Sequence, residues 1–268
     1  MKTVREKIEK SSKSDMPVLI TGETGVGKEV TARLIHLRSY RSDKPFIVVN
    51  CPGLRPELAR SELFGHERGA YTGADRRHIG KFEMAEGGTI FLDEIADLNP
   101  EVQAMVLRAV EKGEIERLGG EETIKVNVRV IAATNKDIRK LVKDGYFRKD
   151  LYYRLKVLMI HIPPLRERKD DIPELVDHFI SLYRAGEPPI LTQEAFDELF
   201  RHEWPGNVRE LEMLMRSICQ IYGGKRVGVD ELRGLGLQRI TLTHLPSRFN
   251  LKEEVERYER ELIMRVLE

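Results

Sequence analysis

Pro17-Val18-Leu19-Ile20-Thr21-Gly22-Glu23-Thr24-Gly25-Val26-Gly27-Lys28 is the stretch that decides the fold. Five residues of apolar strand character run into a glycine-rich loop that ends on a lysine, and a helical pattern follows at once. Strand, loop and helix in that order form a phosphate cradle. The glycines let backbone N–H groups face the ligand, the helix N-terminus adds positive potential, and Lys28 reaches the terminal phosphates. The cradle comprises Gly22, Glu23, Thr24, Gly25, Val26, Gly27 and Lys28. Glu29 follows where Ser or Thr more often offers Mg²⁺ a hydroxyl, so the metal must rely on other oxygens.

Outward from this loop, short apolar runs alternate with helical patterns: Phe46 to Asn50, Thr89 to Asp93, Val128 to Thr134 and Val157 to Ile162. That alternation predicts βαβ units and a mostly parallel sheet, an α/β fold. The runs are continuously apolar, as burial on both faces requires. Polar residues gather where the runs end: the cradle after the first, Asn50 after the second, Asp93-Glu94 after the third and Asn135 after the fourth. All of them fall at the carboxyl edge of one sheet, where open α/β sheets bind ligands. Asp93 and Glu94 suit a division of labour in which Asp93 organises the Mg²⁺ shell and Glu94 polarises an attacking water. The competing reading is a carboxylate pair that caps the next helix at Asp93 or Asp97. Asn135 suits either a γ-phosphate sensor that orients the water or a simple Asx turn.

After Pro163-Pro164 the chain becomes charged and helical without a further strong strand pattern, which predicts a helical second unit. Helices are expected from Asp171 and from Thr192 to Arg201, and Asn207 three residues before Glu210 matches a capping box for a helix bearing Arg209. Leu251 to Glu268 has the spacing of an amphipathic helix.

Lys and Arg number 45 against 44 Asp and Glu, so no global field draws the chain to nucleic acid or an anionic membrane. No apolar run reaches the roughly 18 residues of a membrane span, and the N-terminus lacks a signal-peptide core. These features point to the cytoplasm and away from membranes. Cys51 and Cys219, far apart in sequence, suit a reducing compartment and no metal site.

Gly69-Ala70-Tyr71-Thr72-Gly73-Ala74 stands between the cradle and the Asp93-Glu94 strand. Glycines at both ends permit a tight reversal, which predicts Tyr71 and Thr72 at a tip with nothing local to pack against, suited to meeting a partner. Arg148 and Arg154 flank Lys149 to Tyr153. Phosphoryl transfer often uses a guanidinium from a neighbour, but residues six apart on one helix point roughly 120° apart. Both reach one phosphate only if the helix ends between them or their tasks differ.

With these residues in place, the chain resembles one family: the central AAA+ ATPase domain of sigma-54-dependent transcription activators, the bacterial enhancer-binding proteins. The hexapeptide is similar to that family's GAFTGA loop, with Tyr71 in place of Phe. Glu62 to Glu67, Gly88 to Glu94, Pro164 to Arg168 and Trp204 to Leu211 resemble further family motifs, and the likeness spans roughly residues 15 to 225. The resemblance implies an AAA+ P-loop NTPase fold with a parallel sheet flanked by helices and a smaller all-α lid. The divisions it implies are residues 1–167 for the nucleotide-binding unit, with a sigma-contacting loop at 62–80, then 168–235 for the lid and 236–268 for a connector.

It implies ATP and Mg²⁺ as cofactors, with ATP bound between subunits of a homo-oligomeric ring, a hexamer or heptamer. The loop Gly69 to Ala74 would engage sigma-54 in RNA polymerase holoenzyme, and hydrolysis would drive the closed-to-open promoter transition. Lys28, Asp93 and Glu94 match the family's Walker residues, and Glu29 also matches its pattern. Asn50 matches the residue that holds the catalytic glutamate, Arg148 and Arg154 match the arginines offered across the interface, and Arg209 matches the second sensor on the lid. Enhancer DNA would be bound only by a domain outside this chain, which reads as a piece excised from a longer protein. Two other readings stand beside this one: an AAA+ remodeller of another client, and a nucleotide-regulated binding module without turnover.

Overall fold

The computed structural model describes residues 2–52, 56–71 and 73–237. Thr72 and the expected helix from Leu251 lie outside them, as does all but the first two residues of the expected connector. Five strands form a parallel sheet: β1 (Val18–Thr21), β2 (Phe46–Asn50), β3 (Thr89–Asp93), β4 (Arg129–Thr134) and β5 (Leu158–His161). Their order is β2-β3-β4-β1-β5, so the cradle strand lies between β4 and β5. Each expected strand is present, trimmed by a residue at some ends.

Alternation along each strand divides the core into two layers. Val18 and Ile20 of β1, Phe91 of β3 and Ile131 of β4 pack beneath α1 (Lys2–Ser12) and α2 (Lys28–Leu37) with Val4, Ile8 and Ile35. Leu19, Ile90, Leu92 and Ala132 face the opposite layer, built on α3 (Pro56–Phe64), α4 (Lys81–Met84), α5 (Pro100–Lys112), α6 (Ile138–Lys143) and α7 (Lys149–Leu155). Burial on both faces explains the unbroken apolar runs. The edge strand β2 departs from that pattern, leaving Val48 exposed.

The second unit comprises α8 (Ile172–Tyr183), α9 (Gln193–Arg201), α10 (Asn207–Ile221) and α11 (Val229–Gly234). Thr192 caps α9 by accepting a hydrogen bond from the Ala195 N–H, as its residue type favours. Trp204 is fully buried among Leu165, Phe179, Leu199 and Leu211, and its indole N–H donates to the Leu199 carbonyl at 2.9 Å. One feature had no signal in the sequence: Ile190–Leu191 pairs in parallel with Arg226–Val227, a two-residue ladder inside the helical unit.

Candidate active site

The chain turns out of β1 into the cradle because Gly22, Gly25 and Gly27 all hold positive φ. At Gly25 a Cβ would come within 2.3 Å of the Gly206 carbonyl, so only glycine admits the lid this close. Gly27 caps α2 in the left-handed region at φ 102, and a Cβ there would meet nothing within 4 Å. That open space lies before the positive end of a ten-residue helix, the setting in which phosphate oxygens are held.

Lys28 donates to the carbonyls of Gly22 at 3.1 Å and Glu23 at 3.3 Å, and its ammonium lies 2.9 Å from Glu94 Oε1. Glu94 sits in the left-handed region at φ 51, a conformation costing a non-glycine residue of order 1–3 kcal/mol. Two contacts hold it there: the Lys28 pair, and the Asn135 N–H donating to Oε2 at 2.8 Å. The Asn135 amide then donates to Thr24 Oγ1 at 2.9 Å, joining the end of β4 to the cradle. Asn135 is therefore a bridge across the site, beyond a local turn. The cap of α5 is Asn99, which accepts from the Val102 N–H, and not Asp93 or Asp97, whose carboxylate pairs with Lys136.

Asp93 lines the same cleft, with its carboxyl above the usual carboxylate range, chiefly through burial and next through the Glu94 charge. Asp93, Glu94 and Asn135 present hard oxygen donors beside an excess of negative charge, which fits a divalent cation such as Mg²⁺. Asp93 would hold it with water and phosphate oxygens, and the ion would neutralise charge on those phosphates. Glu29 borders the same cleft, paired with Arg33 at 3.1 Å.

These residues line a cleft of about 570 Å³ that also takes in Asn50 and Arg209. Asn50 stands opposite Asp93 in the β2–β3 register, but the Glu94 carboxylate goes to Lys28 and Asn135, not to Asn50. Arg209 enters from the lid. Arg148 and Arg154 lie apart from the cleft of their own chain. Arg148 precedes α7 with extended backbone and binds Asp150 through Nη2 at 2.7 Å, while Arg154 lies exposed in the last turn. The helix begins between them, so the two guanidinium groups are not bound to one helical face.

The cradle is gripped from the lid side through contacts the sequence did not reveal. Arg166 pairs with Glu23 at 2.5 and 2.8 Å, which with the Asn207 amide holds the Glu23 carboxyl down to about 2. Arg168 Nη2 donates to the Val26 carbonyl at 2.9 Å. The expected capping box differs in register: α10 starts at Asn207 and its cap is Gly206, whose N–H donates to Glu210 at 2.8 Å. The Asn207 side chain serves elsewhere. These contacts span more than 140 residues of chain, and no local spacing encodes them.

The hexapeptide closes on itself, with the Gly69 N–H donating to the Ala74 carbonyl at 2.8 Å and the Ala74 N–H to Tyr71 at 3.0 Å. Ala74 is buried, while Ala70 and Gly73 are not. The expectation that Tyr71 packs against nothing local needs correction. Its ring, partly exposed, stands edge-on to His66 at 5.1 Å, and His66 in turn stacks on His78 at 5.4 Å. These histidines face each other in a two-residue antiparallel neck. Beside it, Arg117 from the hairpin Glu114–Glu116/Thr123–Lys125 donates to Glu83 at 2.6 and 2.8 Å and to Glu67 at 2.8 Å.

A parallel sheet in this order, a cradle at its carboxyl edge and a helical lid closing on the cradle define an AAA+ P-loop nucleotide-binding protein. A profile of the sigma-54 interaction domain matches residues 1–161, and one of the AAA+ ATPase lid domain matches residues 166–261. The chain belongs to the sigma-54 interaction domain family, that of the sigma-54-dependent activators. It is 48% identical over 235 residues to the transcriptional regulatory protein XylR of Pseudomonas putida, covering 86% of this chain and 42% of that protein. It is 50% identical over 214 residues to the Nif-specific regulatory protein of Azotobacter vinelandii, covering 79% and 41%. The chain thus spans less than half the length of these two relatives. The crystal structure of NtrX from Brucella abortus in complex with ADP superposes with a TM-score of 0.81 at 33% identity, covering 97% of this chain and 60% of that one. The same protein in complex with ATP gives 0.77 at 34% identity, covering 98% and 60%.

Proposed function

We propose that this chain is the ATP-hydrolysing unit of a cytoplasmic sigma-54-dependent transcription activator, and that it couples turnover to remodelling of the closed promoter complex. The observation that carries this reading is the convergence of Lys28, Glu94, Asn135 and Thr24 in one chain of contacts at the mouth of the cradle, beside Asp93. Lys28 binds the terminal phosphates, Asp93 holds Mg²⁺, and Glu94 takes the proton of the attacking water. Asn135 reports the γ-phosphate to the end of β4. Asn50 restrains Glu94 in one nucleotide state, and Arg209 brings the lid to the nucleotide.

Arg148 and Arg154 complete the site of an adjacent copy in a hexameric or heptameric ring, consistent with their distance from the cleft of their own chain. The loop Gly69, Ala70, Tyr71, Thr72, Gly73 and Ala74 engages sigma-54 in the holoenzyme. Enhancer DNA is bound by a domain outside residues 1–268. The outer boundaries of the ATPase unit, loop and lid follow the divisions at 167 and 235. Glu94→Gln tests the catalytic assignment: it keeps nucleotide binding and lowers turnover by about 10²-fold or more, the contribution of a positioned base. Turnover at the parental rate would reject Glu94 as that base.

A further inference from the structure

The carbonyls of a phosphate cradle must be satisfied on the side away from the ligand, or the loop has no reason to keep its N–H groups turned inward. Here those carbonyls are met in turn, and the lid supplies most of the donors. The Asn207 amide donates to the Thr24 carbonyl at 3.0 Å, the Val208 and Arg209 N–H groups donate to the Gly25 carbonyl at 3.0 and 3.3 Å, and Arg168 donates to the Val26 carbonyl.

Asn207 is the centre of this arrangement. It is fully buried and holds a left-handed φ of 54. Its Oδ1 accepts from the Leu165 N–H at 2.8 Å, while Nδ2 donates both to the Thr24 carbonyl and to Glu23 Oε2 at 3.1 Å. One carboxamide therefore ties three segments: the loop after β5, the cradle and the start of α10. Aspartate in its place would keep the acceptor for Leu165. It would also lose both donors and set a second carboxylate against Glu23 and the Thr24 carbonyl.

We infer that Asn207 is a positioning residue for nucleotide binding, which it promotes without touching the ligand by fixing the cradle in its phosphate-accepting shape from the lid side. The lid thereby acts on the site by two routes, the Arg209 side chain inside the cleft and the Asn207 carboxamide behind the cradle. This deepens the ATPase reading above and rests on it.

The test measures ADP and ATP affinity of the whole chain with a fluorescent nucleotide, alongside the thermal midpoint of each protein. Asn207→Asp should weaken binding about tenfold or more. Combining it with Glu23→Gln restores a donor opposite the new carboxylate, and the double variant should regain affinity to within about threefold of the parent. A purely structural role would lower the midpoint of both variants alike and give no such rescue. Arg166→Gln, at a half-buried position, removes the guanidinium partner of the same Glu23 carboxylate and should weaken binding severalfold. Unchanged affinity in Asn207→Asp, or a double variant no better than the two single effects combined, overturns the inference. If Asn207→Asp fails to fold, unchanged affinity in Arg166→Gln overturns it. A parent chain that binds neither nucleotide overturns the ATPase reading, and this inference with it.

Discussion

Asp93 carries two penalties at once, removal from water and the adjacent charge of Glu94, and both favour its protonated form. A carboxyl whose folded pKa is raised above its ordinary 3.8 costs stability at pH above that value, and the cost disappears as the pH falls below it. Asp93→Asn removes the cost at neutral pH. It should raise the thermal midpoint of the metal-free chain by about 2–4 °C for each kcal/mol recovered. The same substitution should abolish the additional stabilisation that Mg²⁺ gives in the presence of ADP. A lower midpoint for the variant, measured by scanning fluorimetry without metal, would show that the carboxylate is fully compensated within the chain. Cys51 lies behind the same group, buried, and its thiol is pushed up to about 12, first by burial and then by the Asp93 charge. It should resist alkylation at pH 8 until the chain unfolds, which mass spectrometry of the labelled protein checks.

At the scale of elements, the contact between lid and cradle has its own pH signature. Arg166 holds the Glu23 carboxyl at about 2 against an ordinary 4.5. A depressed carboxyl stabilises the fold above its unfolded value and loses that contribution as the pH falls toward its folded value. The stability gap between the parent and Glu23→Gln should therefore be widest above about pH 5 and narrow between pH 4.5 and 2, read as urea midpoints across that window. A gap independent of pH would mean that the carboxylate charge is immaterial to the docking. The loop makes a different demand. Arg117 is buried and its guanidinium is held above its ordinary range by Glu83 and Glu67, so the hairpin and the loop neck share one ion-pair cluster. Arg117→Ala strips Glu83 of its guanidinium partner, leaves Glu67 only the longer pair with Arg77 at 3.9 Å, and should loosen the neck, raising amide exchange in residues 65–79 while leaving nucleotide affinity near that of the parent.

The elements differed in how far the sequence revealed them, for physical reasons. The three central strands were legible because a strand buried on both faces must be apolar throughout, and the two edge strands because their runs stay apolar although they are only partly buried. The hairpin bearing Arg117 and the two-residue ladder at Ile190 have too few residues for any period to register. Asp93, Glu94 and Asn135 were found because they stand where strands end at one sheet edge, and Lys28 because a glycine loop leads from β1 into the helix it opens. Arg166 and Asn207 were not found as cradle partners because their partner Glu23 lies 143 and 184 residues away. For Asn207 the local pattern misled: Glu210 does reach back to a backbone N–H, but to that of Gly206, which leaves the asparagine free to cross to the cradle.

For the whole molecule, the position of the arginines makes the strongest demand. The cleft contains a lysine, a base and a polar bridge, yet neither Arg148 nor Arg154 lines it. A site that needs them is completed only by a second copy, so turnover per chain should rise with protein concentration. Arg154→Ala should lower turnover by about 10³-fold while leaving nucleotide affinity of the isolated chain nearly unchanged. Rate constants that fall in step with affinity would place the arginine in the cleft of its own chain.

The most direct measurement of the central claim combines two readouts in one titration: ATP hydrolysis against protein concentration, and capture of sigma-54 in the presence of ADP with aluminium fluoride. Turnover should rise faster than linearly, and capture should depend on the analogue and be lost in Thr72→Ala. Turnover strictly proportional to concentration, with no capture at any nucleotide state, would contradict both the shared site and the partner.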